Sequence, residues 1–193
     1  MATETTFAQL VSLACHDLRT PLATASGFAH TLQRLDRIEE PAGRYAEMIG
    51  AAAVQMTHLL DLLGAAARIE GGRFEPQARD VDSRRLADEA AARMDGRAAV
   101  EGRGATVQLD PAWGQTALAA LGVCIRRHGA LERVAFAVDG PEVAIGPVGD
   151  GVGRIALGDD LKDFGAAVAT RVLPAMGAEL ELAGEQLVVR LPQ

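Results

Sequence analysis

The segment CHDLRTPL, residues 15–22, gathers the side chains of this sequence that are best suited to chemistry. The imidazole of His16 is a nucleophile that is largely neutral near pH 7. Asp17 is adjacent and is predicted to accept the proton of one ring nitrogen, which leaves the other nitrogen free to attack. Thr20 lies one turn on, on the same helical face, where its hydroxyl can position water or a phosphoryl oxygen. Arg19 can offer positive charge to a phosphoryl group.

Pro21 follows this cluster within a pattern that is otherwise helical. A proline there cannot donate to the carbonyl of Asp17, and inside a helix it costs roughly 3 kcal/mol and bends the axis. Such a bend, one turn after a reactive histidine, is predicted to serve as a hinge. At about 100° per residue, His16 is turned away from Ala14 on the apolar stripe, which predicts that it faces solvent. The alternative is an ordinary exposed histidine beside an accidental kink.

Two long runs with helical periodicity position the cluster. The first extends from about Thr5 to Leu35, and the second from Tyr45 to Ala66 with Pro41 near its start. The link DRIEEP is short, so the two helices are expected to be antiparallel neighbours. The apolar face of the second run is too wide for one partner helix. A symmetric dimer that forms a four-helix bundle is therefore predicted, with packing against the rest of the same chain as the alternative.

The sequence changes character after the hairpin of residues 1–70. Residues 71–80, within EGGRFEPQARD, are predicted to be a linker because they are rich in Gly, Pro and charge. Residues 81–193 mix helical stretches with short strands. The helices are predicted in VDSRRLADEAAARM (capped by Asp82 or Ser83), from Pro111 to His128 and from about Leu161 to Met176, and the strands in AAVEG, ATVQLD, RVAFAVDG, EVAIGP, AELELAG and QLVVRLP. The predicted fold class is a helical hairpin followed by an α/β sandwich, with helices on one face of a mixed sheet.

Composition excludes several functional classes. The net charge is −7 and no basic stripe is present, so nucleic acid is not an expected partner. No apolar run approaches the ~20 residues that span a bilayer, and the start lacks the features of a signal peptide. Cys15 and Cys124 fall on separate helices without metal-ligand spacing. We therefore expect a reduced cytoplasmic protein without a membrane segment, disulfide or metal. His30, His58 and His128 are expected to be structural.

The segment HDLRTPL resembles the H-box of sensor histidine kinases at all seven residues. In that family the histidine takes a phosphoryl group and passes it to an aspartate on a response-regulator receiver domain. The resemblance implies that His16 is the phosphoacceptor, that Asp17 assists as a base and that Thr20 takes part in dephosphorylating the regulator. The family places this box on the first helix of a dimeric hairpin, ahead of an ATP-binding domain. The resemblance extends from about Phe7 to Pro192.

The second half departs from the family pattern at the metal-binding helix. The ATP-binding domain of the family carries two asparagines there, one of which binds Mg²⁺. Ala119 and Val123 stand where those asparagines are expected. Neither can coordinate a hard cation, which prefers oxygen ligands. The resemblance therefore implies a degenerate ATP-binding domain.

The glycine-rich loops of the family are also altered. The first is represented by VAIGPVGDGVGR, which keeps Asp150, Gly151 and Gly153 at a changed spacing. The second keeps only Gly165, beside Asp163, whose charge would oppose a triphosphate. The lid between the loops is nearly absent. If a nucleotide binds at all, the resemblance assigns it to Asp150 and the three glycines; otherwise these glycines are turns between strands.

Three functions remain open at this point. The first is a homodimeric histidine phosphotransferase without a cofactor of its own, which exchanges phosphoryl groups with response-regulator receivers that bring Mg²⁺. The second is an ATP-dependent kinase with a divergent nucleotide site. The third is a non-catalytic module that binds a response regulator or uses Thr20 to promote its dephosphorylation.

Overall fold

The computed structural model describes residues 7–34 and 42–193, apart from some side chains of the two long helices. The chain divides into two compact units, Met1–Arg73 and Phe74–Gln193. Each unit has its own architecture.

The first unit contains helices α1, Phe7–Gln33, and α2, Ala42–Glu70, which pack against each other. On α1 the buried residues Cys15, Leu22 and Ala29 recur every seven positions. Ala46 and Ala53 on α2 show the same interval. A seven-residue interval keeps side chains on one side of a helix, and alanines let two backbones approach closely. The predicted helical pair is confirmed, whereas the link DRIEEP and the predicted helix ends at residues 5 and 35 lie outside the described residues.

Helix α2 is longer and more apolar than the sequence analysis anticipated. Over an 18-residue window its mean hydropathy reaches 1.3, so by length and composition alone it qualifies as a bilayer-spanning helix. The expectation that no run approaches this length is therefore wrong as a statement about composition, because the many alanines of α2 raise its mean hydropathy together with Leu, Ile, Val and Met. One such helix is weak support for a membrane span, since the core helix of a bundle has the same composition.

The second unit is an α/β sandwich whose elements alternate along the chain. They are β1 Arg79–Asp82, α3 Ser83–Ala92, β2 Ala98–Gly104, β3 Thr106–Leu109, α4 Pro111–His128, β4 Val134–Gly140, β5 Glu142–Gly146, α5 Val152–Ala156, α6 Phe164–Ala175, β6 Glu179–Ala183 and β7 Gln186–Arg190. Five strands form a sheet in the order β2-β4-β5-β7-β6, and β1 pairs with β3 in a separate antiparallel ribbon. Strands β2 and β4 are parallel and the other neighbours are antiparallel, so the sheet is mixed.

Helices α3, α4 and α6 lie side by side over this sheet, with α4 in the middle. The core between the layers is fully buried and aliphatic apart from one phenylalanine, and it includes Leu86, Leu118, Leu121, Phe136, Ile145, Leu173 and Leu187. The predicted fold class, a helical hairpin followed by an α/β sandwich, is confirmed. Strand β1 and helix α5 were not predicted, and β1 begins inside the segment assigned to the linker.

Three aspartates are the N-caps of α3, α4 and α6, the three main helices of the sandwich. Asp82 caps α3 by accepting from the backbone N–H of Arg85, at 2.9 Å. Ser83, the other candidate cap, is fully buried and instead donates to the carbonyl of Gly140. Asp110 and Asp163 cap α4 and α6 in the same manner as Asp82. These caps satisfy N–H groups that a helix start leaves without partners.

Candidate phosphoacceptor site and a second polar cluster

His16 lies in the middle of α1 and is exposed. Its neighbour Cys15 is only 2% exposed, on the buried line of the helix. Consecutive helical residues diverge by about 100°, so burial of Cys15 turns His16 toward solvent. The imidazole is therefore accessible from outside the helical pair, as the apolar stripe predicts. This is the exposure that a group transferring phosphoryl to another protein needs.

Arg19 forms an ion pair with Asp61 of α2. The guanidinium Nη2 lies 2.7 Å from the carboxylate Oδ1, and both side chains are about half exposed. An exposed pair of this kind contributes roughly 0–1 kcal/mol to stability. Its clearer effect is positional, because it holds the guanidinium one turn from His16 while other N–H donors of the group stay available. Asp61 was not predicted from the sequence, since nothing local connects it to residue 19.

Thr20 is exposed on the same helix. The hydroxyl of Thr24 donates to the backbone carbonyl of Thr20 at 3.0 Å. Helix α1 continues through residue 21 as one element. The side chains of Asp17 and Pro21 lie outside the described residues, so the proposed proton acceptance by Asp17 and the hinge at Pro21 stay predictions.

The helix expected to carry Mg²⁺ ligands, α4, presents hydrocarbon at both predicted positions. Ala119 is buried, and Val123 is half-buried. Cys124 directly follows and is fully buried. These side chains offer no oxygen to a hard cation. The absence of a Mg²⁺ site on this helix stays a prediction.

The first glycine-rich segment forms the short helix α5 and the turn before it. Asp150 is exposed and precedes Gly151, whose φ of +76° favours glycine. A Cβ at Gly153 would lie 2.7 Å from Cδ2 of Leu182 in β6. The small residue at position 153 is thus explained by close packing against the chain's own leucine. The structure gives no separate indication that this segment cradles phosphate.

Gly165 has a similar packing explanation. A Cβ there would meet the Cβ of Ala120 at 3.3 Å, at the contact between α6 and α4. An open groove of about 510 Å³ lies elsewhere, and residues of α6, β6 and β7 line most of it. Its lining includes neither Asp150 nor any of the three glycines assigned to a nucleotide.

A second polar cluster joins α4 to the start of α6. Cys124, His128 and Asp163 each offer a ligand atom, and these atoms lie within 4.8 Å of one another. The Nε2 of His128 is 3.4 Å from Oδ2 of Asp163. The Nε2 atom is buried and makes no hydrogen bond to any described residue. Arg127 approaches the same carboxylate oxygen at 3.5 Å, from a mostly exposed position.

The environment of Cys124 disfavours a thiolate in the absence of a bound cation. Burial raises the pKa of its thiol to about 12, and the negative charge of Asp163 acts in the same direction, while Arg127 opposes them. The sequence analysis missed this cluster. The signal was the four-residue spacing of Cys124 and His128, which puts both side chains on one helical face; Asp163 is brought in only by the fold.

Residues 8–72 match the model of the HisKA family, the His Kinase A (phospho-acceptor) domain. The first unit of the chain is therefore similar to the phosphoacceptor domain of histidine kinases. The match spans α1 and α2 and includes the exposed His16. A relative among curated proteins is the probable sensor histidine kinase TcrY of Mycobacterium tuberculosis (strain ATCC 25618 / H37Rv), which is 36% identical over 90 residues. Those residues are 46% of this chain and 18% of TcrY.

Solved histidine kinase structures share the fold of the chain. The crystal structure of full-length ShkA in complex with AMPPNP matches 97% of this chain and 46% of that one, with a TM-score of 0.66 at 18% identity. The histidine kinase AdeS of Acinetobacter baumannii matches 92% of this chain and 97% of that one, with a TM-score of 0.52 at 14% identity. The chain thus spans under half of the ShkA structure. These likenesses concern the fold alone.

Proposed function

We propose that this histidine kinase relative is a histidine phosphotransferase of a two-component phosphorelay. His16 accepts a phosphoryl group from the aspartate of one response-regulator receiver and gives it to the aspartate of another. The observation that carries the proposal is the combination of an exposed His16 on a HisKA hairpin with hydrocarbon at both positions expected to hold Mg²⁺. The phosphoacceptor is kept, whereas the means of charging it from ATP is not.

In the proposed transfer, one ring nitrogen of His16 forms a P–N bond while the P–O bond to the receiver aspartate breaks. The aspartate leaves as a carboxylate, and the proton on the other ring nitrogen passes to Asp17. Arg19, held by Asp61 at 2.7 Å, adds positive charge near the transferring group. The Mg²⁺ that offsets phosphoryl charge comes with the receiver. The reverse sequence delivers the group to the second receiver.

The second unit supports this proposal because side chains of the chain itself pack closely at the positions where the resemblance implies contacts with Mg²⁺ or nucleotide. Ala119 is buried, Gly153 packs against Leu182, and Gly165 packs against Ala120. The buried Asp163 contributes negative charge at the start of α6, where a triphosphate would be repelled. We propose that this unit helps to dock the receiver rather than to bind ATP.

An ATP-dependent kinase is the second candidate, and one observation favours it. The fold likeness to ShkA, whose crystal structure holds AMPPNP, covers 97% of this chain. In that case Asp150, Gly151, Gly153 and Gly165 would contact the nucleotide. The third candidate, a module that binds a response regulator or promotes its dephosphorylation through Thr20, is supported by the exposure of Thr20.

The proposal includes a homodimer that works in the cytoplasm without nucleic acid or membrane partners. Large apolar side chains remain exposed on the helical pair, and they include Leu18, Phe28, Leu32, Tyr45, Met48, Ile49, Val54, Met56 and Leu59. A second hairpin that completes a four-helix bundle would bury such a surface. Soluble monomers rarely expose extended apolar patches.

The deciding experiment measures the source of phosphate on His16. The purified chain is incubated with labelled ATP and Mg²⁺, and separately with receiver domains from the same genome that have been phosphorylated by acetyl phosphate. We expect acid-labile label on the wild-type chain only from the receivers, and none on His16→Gln. Label from ATP on the wild type, lost in His16→Gln, would instead establish the kinase. Absence of label from every donor would favour the non-catalytic module.

A further inference from the structure

We propose that Cys124, His128 and Asp163 form a binding site for a borderline transition-metal ion of the Zn²⁺ type, with one open coordination position. The site lies in the α/β unit, joins α4 to α6 and is independent of the phosphotransfer proposed for His16.

The geometry is close to that of a tetrahedral site. Zn–N and Zn–O distances near 2.0–2.2 Å and Zn–S distances near 2.3 Å put ligand atoms of a tetrahedral ion roughly 3.3–3.7 Å apart. The Nε2 of His128 and the Oδ2 of Asp163 are already 3.4 Å apart. All three ligand atoms lie within 4.8 Å of one another. Bringing the sulfur into range therefore needs a shift of at most about 1 Å.

The burial of the site favours occupancy. The Nε2 of His128 is buried without a hydrogen bond to any residue in the described part of the chain. A buried polar atom left without a partner costs roughly 1–3 kcal/mol, so such an atom in a folded protein calls for an explanation. A metal ion would accept the lone pair of this nitrogen. Cys124 is fully buried, Asp163 is 8% exposed and the side chain of His128 is 22% exposed, so most of the site is shielded from competing water.

Asp163 can bind a metal without giving up its role at the start of α6. Its Oδ1 accepts from the backbone N–H of Ala166 at 3.0 Å, while Oδ2 faces His128. The helix cap thereby fixes the carboxylate in the orientation that a ligand needs, as hydrogen bonds to metal-binding carboxylates commonly do. The charge on Oδ2 is shared with Arg127, whose side chain is 62% exposed and can turn into solvent when a cation binds.

The donor set selects the type of metal. Sulfur, imidazole nitrogen and one carboxylate oxygen suit Zn²⁺ or Co²⁺, whereas Mg²⁺ prefers oxygen ligands in octahedral geometry. Three protein ligands leave the fourth tetrahedral position to water or to a small anion. By fastening α4 to α6, the ion would stabilise the α/β unit in proportion to its occupancy.

The test uses the full-length chain after removal of metals with a chelator, and Co²⁺ and Zn²⁺ as probes. Titration with Co²⁺ is expected to give a thiolate-to-cobalt charge-transfer absorption that saturates near one ion per chain, and Zn²⁺ is expected to abolish this absorption by displacement. Zn²⁺ is also expected to raise the Tm of the α/β unit, while Mg²⁺ at the same concentration leaves it unchanged.

Three variants locate the site. Cys124→Ala is expected to remove the absorption. His128→Gln and Asp163→Asn are expected to weaken Co²⁺ binding by about 100-fold or more, because even the loss of an outer-shell partner costs about 10–100-fold. Asp163→Asn can keep the cap through its amide oxygen, so it decides the question even if Cys124→Ala fails to fold. Cys15→Ala and His58→Gln are the matched controls and are expected to bind Co²⁺ as the wild type does.

Failure of the wild-type chain to bind Co²⁺, or retention of the absorption in Cys124→Ala, would overturn the proposal. Loss of binding in Cys15→Ala together with normal binding in Asp163→Asn would also overturn it, because the ion would then lie on the hairpin. None of these readouts involves phosphoryl transfer, so the metal site and the proposed function can fail separately.

Discussion

At the scale of single residues, the hairpin places opposite environments side by side. Cys15 is 2% exposed and His16 is open to solvent. In the proposed function the histidine can therefore reach a partner without any change in the packing of α1 against α2, because its neighbours on the buried line hold the helix in place. Nucleophile identity and accessibility are residue properties, and they can be tested by replacing one side chain at a time.

Replacing His16 by glutamine is expected to abolish acid-labile phosphorylation and leave the fold intact. Glutamine keeps the size, polarity and helix propensity of the position but has no nucleophilic ring nitrogen. The measurement is label transferred from a phosphorylated receiver. His30→Gln is the control, since His30 is exposed on the same helix. Equal labelling of both variants would place the phosphoacceptor elsewhere.

Thr20→Ala is expected to slow dephosphorylation of the partner regulator while leaving phosphoryl transfer to His16 in place. Thr20 is exposed. The hydrogen bond from Thr24 goes to the backbone carbonyl of Thr20 and does not involve its hydroxyl. The free energy of unfolding should therefore change by less than about 0.5 kcal/mol. The rate of phosphate release from the receiver is measured with Thr24→Ala as the control. An unchanged rate in Thr20→Ala would contradict a role for this hydroxyl.

At the scale of elements, the sequence predicted those whose signals are local. Helix α4 was predicted with its observed bounds, because Asp110-Pro111 is a cap followed by a first-turn proline and Gly129 follows its end. The strands of the five-stranded sheet were found from their apolar patterns. Strand β1 was missed because it depends on pairing with β3, in which Arg79 lies opposite Leu109, 30 residues later in the sequence. No local pattern identifies such a partner. Helix α5 was missed because five residues that follow glycines carry too short a pattern.

The candidate sites also divide into one formed by contiguous residues and others whose residues are distant in sequence. The segment HDLRTPL, residues 16–22, is contiguous, so its residues could be proposed as a site without knowledge of the fold. Asp61 joins Arg19 only through the packing of two helices, and Asp163 joins Cys124 only through the contact of α6 with α4. Such pairs are distant in sequence, and a single sequence carries no signal that the two residues meet.

Asp110→Ala is expected to destabilise the α/β unit by about 1–2 kcal/mol. The carboxylate accepts from the N–H groups of Ala112 and Trp113 through Oδ1 and from Gln77 through Oδ2. Loss of a cap alone costs about 1 kcal/mol, and Gln77 loses its partner as well. Trp113, the single tryptophan, contacts Phe74 edge-on at 5.8 Å, so its fluorescence follows unfolding of this unit in urea.

The control for the cap variant is Asp88→Ala. Asp88 is exposed on α3 and pairs only with Arg84 one turn away, among the contacts described here. An exposed pair of this type contributes little, so the urea midpoint should move by much less than in Asp110→Ala. Equal shifts in the two variants would show that the cap is not the source of the stability.

At the scale of the whole molecule, the exposed apolar side chains of the hairpin determine the expected assembly. Ile49 is 50% exposed on α2, and Phe28 is 67% exposed on α1. A four-helix bundle of two chains would remove such surface from water, at about 25 cal/mol for each Å² of apolar area. Assembly is therefore expected to depend on this face and not on exposed apolar residues of the α/β unit.

Ile49→Glu is expected to convert the dimer to a monomer, because a carboxylate buried without a partner is strongly unfavourable. Sedimentation velocity measures the change. Leu161→Glu, at a position 75% exposed in the α/β unit, is the control and should leave the dimer intact. A wild-type chain that sediments as a monomer, or a dimer that survives Ile49→Glu, would contradict assembly through the hairpin.

The chain has two cysteines, and the fold distributes them one to each unit, both in the interior. A thiol reagent such as iodoacetamide can reach Cys15 only when the hairpin opens and Cys124 only when the α/β unit opens. The two thiols of the native protein therefore report on local unfolding, one in each unit. Mass spectrometry of the alkylated peptides would separate the opening rates of the two halves in one sample, without any substitution or attached label.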